Sequence, residues 1–290
     1  MDRSFAIASL ALLLSLCPFY AGAASDEASD GLVMSSGSPG GGYWSAGARL
    51  QEVAKDMGLE VENRGSSGSL ENLQRLLDPQ SPVAVAFAQA DAAQQFFNDN
   101  PQTRQLVDVL ENIGQECVFV LVGADSGLQD DADLQKKAGE LSLGIPSETS
   151  GIAVTFGYMA SLVPELEKVS VVYGNTSAGM EGLDRDDGEL DAVMVVHRPK
   201  EHSPEVDLAI ANPERFAFVE MHDERLTREL PGGDIVYRSM RLALPGVKDP
   251  VTTICVRGLL LGHKHKLSAD QSNKLTDLVN YHWMRVYATQ

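Results

Sequence analysis

Two turns rich in glycine and serine hold the residues of this chain best suited to chemistry: Ser36-Gly37-Ser38-Pro39-Gly40-Gly41-Gly42-Tyr43 and Gly65-Ser66-Ser67-Gly68-Ser69. Such turns let main-chain N–H groups approach a ligand, and a helix that begins there adds the positive end of its dipole. The chemistry implied is non-covalent capture of a small anion or polar molecule. Gly41, Gly42 and Gly68 offer backbone donors; Ser38 and Ser69 add hydroxyls, which serve equally well as helix N-caps. Tyr43 can stack on a ligand and donate its hydroxyl, or pack at the helix start. Gln89 and Asp91 close a strand, where Asp91 either holds a ligand ammonium or caps the following helix. Arg64 and Arg198 are the guanidiniums suited to a carboxylate, and Arg64 ranks first because it directly precedes the second turn.

Catalytic patterns are missing. Gly65-Ser66-Ser67-Gly68 has the wrong spacing for a nucleophile elbow, and neither a GxxxxGK phosphate loop nor a GxGxxG fingerprint occurs. His197 to His202 is broken by Pro199 and fits no zinc spacing, while His263-Lys264-His265 reads as a polar turn. Asp184, Asp186, Asp187 and Glu189 lack the register of a calcium loop. We expect no enzyme, no metal and no cofactor.

These residues need elements to position them. The first turn lies between the apolar run Leu32-Val33-Met34 and a segment with Ala46, Leu50, Val53, Ala54 and Met57 at helical spacing, and the second opens a helical segment with Leu70, Leu73, Leu76 and Leu77. Strand and helix signals go on alternating through 83–87, 91–97, 117–122, 141–145, 152–162, 169–173, 190–196, 204–210 and 216–221, which predicts an α/β protein with parallel sheets. Residues 231–250 read as a loop-rich stretch, followed by a long apolar strand over 251–261 and a final helix over 268–287. The two blocks, 31–122 and 140–221, suggest two lobes with a cleft at the carboxyl ends of their strands.

At 290 residues and 43% apolar content the chain can fill two cores. A formal charge of −18 gives nucleic acid no basic surface to bind. Residues 1–23 have the form of a signal peptide, with Arg3, an apolar run from Phe5 to Leu16 and cleavage near Ala23. Leu16 before Cys17 disfavours a lipid anchor. Residues 24–30 form a polar leader, and the mature protein is expected in the periplasm. Cys117 and Cys255, both in strand-like runs, are compatible with a disulfide or with buried thiols.

The series of motifs resembles the TAXI family, the solute receptors of tripartite ATP-independent periplasmic (TRAP) transporters. The resemblance runs through Ser36 to Tyr43, Ser67-Gly68-Ser69-Leu70-Glu71-Asn72-Leu73, Ala84 to Asp91, Gly144 to Gly151, Gly188-Glu189-Leu190-Asp191-Ala192 and Val251-Thr252-Thr253, across about 31–265. It implies a type II periplasmic-binding-protein fold, two α/β lobes around a ligand cleft. Lobe 1 would be discontinuous, 31–122 with 222–290, and lobe 2 would be 123–221. It also implies a monomer that delivers an amino acid or carboxylate to TRAP-type permease subunits; a sensory receptor of the same fold is the alternative. By this resemblance Ser147, Thr149 and Ser150 line the second lobe's turn. Glu148 departs from the family pattern, arguing against a dicarboxylate or offering a partner for a ligand ammonium. Val196-His197-Arg198-Pro199 departs too, moving a cation toward the cleft edge.

Overall fold

A computed structural model describes residues 31–39, 41–183, 188–199, 203–230 and 234–287. The expected signal peptide (1–23) and leader (24–30), with Gly40, Asp184, Asp186, Asp187 and His202, lie outside the described residues. The first block runs β1 (Leu32–Ser35), α1 (Gly42–Asp56), β2 (Val61–Arg64), α2 (Ser69–Leu77), β3 (Val83–Gln89) and α3 (Ala90–Asp99). Helix α1 buries Ala46, Leu50, Val53 and Ala54, the stripe expected of an amphipathic helix. Gly58, at φ +70°, then ends it in the left-handed region that glycine adopts without strain. Every residue of β3 is buried, as a strand covered on both faces requires.

A long strand, β4 (Val107–Gly123), leads into α4 (Asp131–Lys137), β5 (Ser142–Ile145), α5 (Gly151–Leu162), β6 (Ser170–Tyr173), α6 (Thr176–Met180), β7 (Ala192–His197) and α7 (Pro204–Ala211). The return path comprises β8 (Phe216–Phe218), β9 (Tyr237–Leu242), β10 (Val251–His263), α8 (Ala269–Asp277) and α9 (Trp283–Tyr287). Three elements differ from the sequence expectation. β2 is not marked by its residues: Val-Glu-Asn-Arg is mostly polar and is held by pairing with β1. β4 starts ten residues before the apolar run 117–122, because its polar first half is held by pairing with β10. β9 lies inside the stretch read as loop, held by pairing with Val251–Val256 of β10.

All strands join one sheet, ordered β2-β1-β3-β10-β4-β7-β5-β6, with β8 on β4 and β9 on β10. β1, β2 and β3 are parallel; so are β5, β6 and β7. Each block therefore shows the same order, second-first-third, followed by an antiparallel long strand: β10 beside β3, and β4 beside β7. Two such blocks joined by long crossing strands make the α/β architecture that the resemblance implies.

Register brings the strand ends of the two blocks together. Gln89, the last residue of β3, faces Gly258; His197, the last of β7, faces Cys117, which faces Cys255. The carboxyl ends of both parallel blocks thus meet along one short stretch of β10, Cys255 to Gly258. One apolar cluster joins α1, β1 and β3 to Leu275, Leu278 and Val286 of the C-terminal helices. Another gathers Phe119, Val193, Val206, Leu242 and Cys255 beyond the crossing point. Lys266, just past β10, donates to the carbonyls of Leu76, Asp78 and Ser81 at 2.8, 2.7 and 3.0 Å, which closes the end of α2. No helix among the described residues is long and apolar enough to cross a membrane.

Of the two states open to the cysteines, the disulfide is the one found. Cys117 and Cys255 are directly opposed on β4 and β10, 138 residues apart in sequence, and both are buried. We expect Cys117→Ala/Cys255→Ala to lose ~2–5 kcal/mol of stability. A guanidinium titration of the oxidised parent and the double variant measures this; coincident curves would contradict it.

Candidate functional site

The first turn follows directly from β1. Gly41 caps α1 in an extended conformation, with no side-chain cap and no acidic residue in the helix's first turn. Its N–H is bound to Ser38 O at 2.9 Å, and the Ser38 hydroxyl donates to Ser66 O at 3.1 Å, tying the two turns together. Ser66 N also donates to Gly37 O at 3.1 Å. Within the second turn, Glu71 accepts from the N–H and the hydroxyl of Ser67, both at 2.7 Å, and pairs with Arg75. Those hydrogen bonds hold the Glu71 carboxyl below the ordinary carboxylate range.

Asn72 shows why the stretch around it has its particular residue types. Fully buried, it donates to Ser36 O at 2.5 Å and Phe87 O at 2.8 Å, and accepts from the Ser35 hydroxyl at 2.6 Å. It clamps the ends of β1 and β3 at the point where the strand order switches, which is where ligands of open α/β sheets bind. Ser69 is buried beneath it and accepts from Gln89 N at 3.1 Å.

The second block meets these turns at two points. Ser150 caps α5, accepting from Ala153 N at 3.2 Å and donating to Ser147 O at 2.7 Å. Gly68, at φ +144°, lies against this turn: a Cβ there would stand 3.7 Å from Gly151 N and 3.8 Å from Thr149 O. The Gln89 side-chain oxygen fills the space that a Cβ on Gly151 would need. Elsewhere Arg198, which directly follows β7 and is buried, lies 3.9 Å from where a Cβ on Gly42 would be. The start of α1 therefore lies against a guanidinium carried by the other block, which brings two positive features together.

Tyr43 stacks on Phe87 with centroids 5.6 Å apart and places its hydroxyl 3.4 Å from Glu116 Oε2. Burial, and then the charges of Glu116 and Asp91, raise its pKa well above the usual phenol value, so it is a donor at neutral pH. Of the two readings of Tyr43, packing at the helix start is the one seen here, with the hydroxyl turned toward Glu116. Arg64 stands apart: on the outer strand β2 it pairs with Glu62 at 2.7 Å, with 42% of its side chain exposed. The structure thus groups Ser38, Gly41, Gly42, Tyr43, Gly68, Ser69, Gln89, Ser147, Thr149, Ser150 and Arg198, and leaves Arg64 outside.

Asp91 is fully buried and engaged by protein donors. Oδ1 accepts from Ala92 N at 2.7 Å. Asp91 lies inside the first turn of α3, whose N-cap position is Gln89 with no side-chain cap, so the capping role expected of Asp91 is not the one found. Oδ2 accepts from the Thr155 hydroxyl at 2.7 Å and the Tyr237 hydroxyl at 2.9 Å. Thr155 lies on α5 and Tyr237 on β9, so this one carboxylate joins α3 to the second block and to the return path. Sequence reading singled out neither hydroxyl, nor Glu116; each comes from a distant element, and no local spacing marks it. Among the described residues no group of acidic, histidine or cysteine side chains could hold a metal.

Neither a protein-family profile nor a curated protein sequence matches the chain. Solved structures do align. Lactococcal OpuAC, closed and complexed with glycine betaine, has 13% identity and a TM-score of 0.49, covering 87% of this chain and 84% of that one. A binding-protein component of an ABC phosphonate transporter from Pseudomonas aeruginosa has 12% identity and a TM-score of 0.48, covering 88% and 77%. The substrate-binding protein of an amino acid ABC transporter has 12% identity and a TM-score of 0.45, covering 86% and 91%. The fold assignment here stands on the strand order and directions within this chain.

Burial raises the Asp91 carboxyl above its ordinary value, and the hydrogen bonds from Thr155, Ala92 and Tyr237 oppose that rise. With the folded pKa above the unfolded one, the stability Asp91 contributes is full below about pH 4 and is lost as pH rises through the folded value. The Tyr237 hydroxyl limits this loss by binding the ionised form. Tyr237→Phe should therefore cost ~1–3 kcal/mol near neutral pH and less near pH 4. Urea titrations at the two pH values test this; an equal cost at both would refute it.

Proposed function

We propose that this chain is an exported solute-binding receptor. It captures a small polar or organic-anion ligand, of the amino acid or carboxylate class, between two lobes and delivers it to a TRAP-type membrane permease. The lobes in this reading are built on the two strand blocks, 31–122 and 123–221. The stretch 222–290 returns to the first through the end of β10 and the C-terminal helices.

One observation carries the reading: donor-rich turns from opposite blocks converge, Gly68 on Thr149 and Gly151, and Gly42 on Arg198. The unblocked start of α1 and the Arg198 guanidinium suit the two oxygens of a carboxylate. Tyr43 and Gln89 would orient the rest of the ligand. Direct contact between the turns corresponds to a closed form. A ligand that binds this form better than an open one shifts the population toward it, giving the permease a shape to recognise.

The ligand should raise the melting temperature by mass action, with a stabilisation of about 2.7 kcal/mol at a hundredfold excess over Kd. A thermal-shift screen of amino acids and organic acids on the mature chain, followed by calorimetry, identifies it. Arg198→Gln should weaken binding by ~10- to 100-fold, as expected when a charge-assisted hydrogen bond is lost. A screen without hits, or full affinity in the variant, would remove the basis for this function.

A further inference from the structure

On the α3 side of the crossing strands lies a cavity of about 340 Å³ whose lining includes Phe97, Val107, Val109, Arg257, Leu259 and Leu261. It opens on the face of β10 opposite the candidate cleft. Alternate residues of a strand face opposite ways; Gly258 faces Tyr43, while Arg257, Leu259 and Leu261 face α3.

Arg257 is the anomaly. Among the described residues its side chain makes no hydrogen bond or ion pair, and its Nε is buried without an acceptor. A buried N–H without an acceptor is costly. The chain has 41 acidic residues against 23 basic ones, yet among the described residues no carboxylate pairs with this guanidinium. The acid at the cavity rim, Asp234, is 3.4 Å from Arg104, which itself lies 5.6 Å over the Phe97 ring. Gln94 is turned to Asn98, donating at 2.8 Å. The remaining lining is aliphatic or aromatic.

We propose that this cavity is a second ligand site, separate from the cleft, for a small carboxylate with an apolar body. The carboxylate pairs with Arg257, and the body lies against Phe97, Val109, Leu259 and Leu261. The volume falls within the usual range for small-molecule pockets, ~300–1,000 Å³. A bare inorganic anion would leave the apolar walls unused, and an uncharged chain would leave Arg257 unpaired. Both halves of the ligand are therefore required. The site does not depend on the function proposed for the cleft.

Octanoate is the probe, with octanol and inorganic phosphate as comparisons, titrated calorimetrically into the mature chain. Octanoate should saturate, and each comparison should bind at least about tenfold more weakly, since one of the two recognition terms is missing. Arg257→Gln should weaken octanoate by at least about tenfold, with Arg257→Lys in between. Val109→Glu should weaken it too: the residue is 62% exposed, so the change places a like charge at the mouth without disturbing the core. Arg198→Gln should retain octanoate binding. The proposal is overturned if octanoate does not saturate, if Arg257→Gln and Val109→Glu titrate like the parent, or if Arg198→Gln alone abolishes binding.

Discussion

Hydrogen bonding between β4 and β10 is the constraint on which the other features depend. Both strands run past the edge of one block and into the next, pairing from Val107 to Cys117 on one side and from Cys255 to His263 on the other. Their antiparallel pairing orients the blocks in opposite directions and so turns the carboxyl ends of β3 and β7 toward one another. The donor-rich turns owe their proximity to this geometry. Between residues 68 and 151 there is no local relation, yet Gly68 and Gly151 touch because the strands beneath them are aimed at one place. The Cys117–Cys255 disulfide is set at the crossing itself, joining the two strands where either block ends.

Charge is then handled in two ways. At Asp91 a buried carboxylate is matched by donors from three elements, which makes it a structural tie across the blocks rather than a group open to a ligand. Glu71 and Asn72 do similar work inside the first block, fixing the turn and the strand ends so that backbone donors are held in place. At Arg257 the positive charge instead lines an apolar cavity, and Arg198 sets its guanidinium against the start of α1. In a strongly acidic chain, a cation set among apolar or backbone groups makes a local field opposite in sign to the net charge.

Much of this order can be read from residue type, and the limits have a physical cause. Val83 to Gln89 is apolar throughout, and a strand buried on both faces needs nothing else to be visible. The glycine-serine turns are visible because glycine marks backbone that must be approached closely. The first half of β4, Val-Asp-Val-Leu-Glu-Asn-Ile, mixes exposed and buried positions, and its strand character comes from β10 about 150 residues later. β9, Tyr-Arg-Ser-Met-Arg-Leu, is hidden the same way, by polar residues and flanking prolines. Arg64 and Arg198 look alike in sequence. Only the edge position of β2, with Glu62 two residues away, separates a solvated ion pair from a cation brought across the gap.

The place of β10 in the sheet bears on how the chain folds. Of the described strands it is the last in sequence but sits in the middle, between β3 and β4. Until it inserts, the first block has no partner at its inner edge, and unpaired strand edges invite association with other chains. Contacts that span so much of the sequence slow folding, because the cost of loop closure comes before its return. A nascent chain of this design stays open to threading or to chaperones until β10 emerges. The sheet closes only when residues 251–263 arrive.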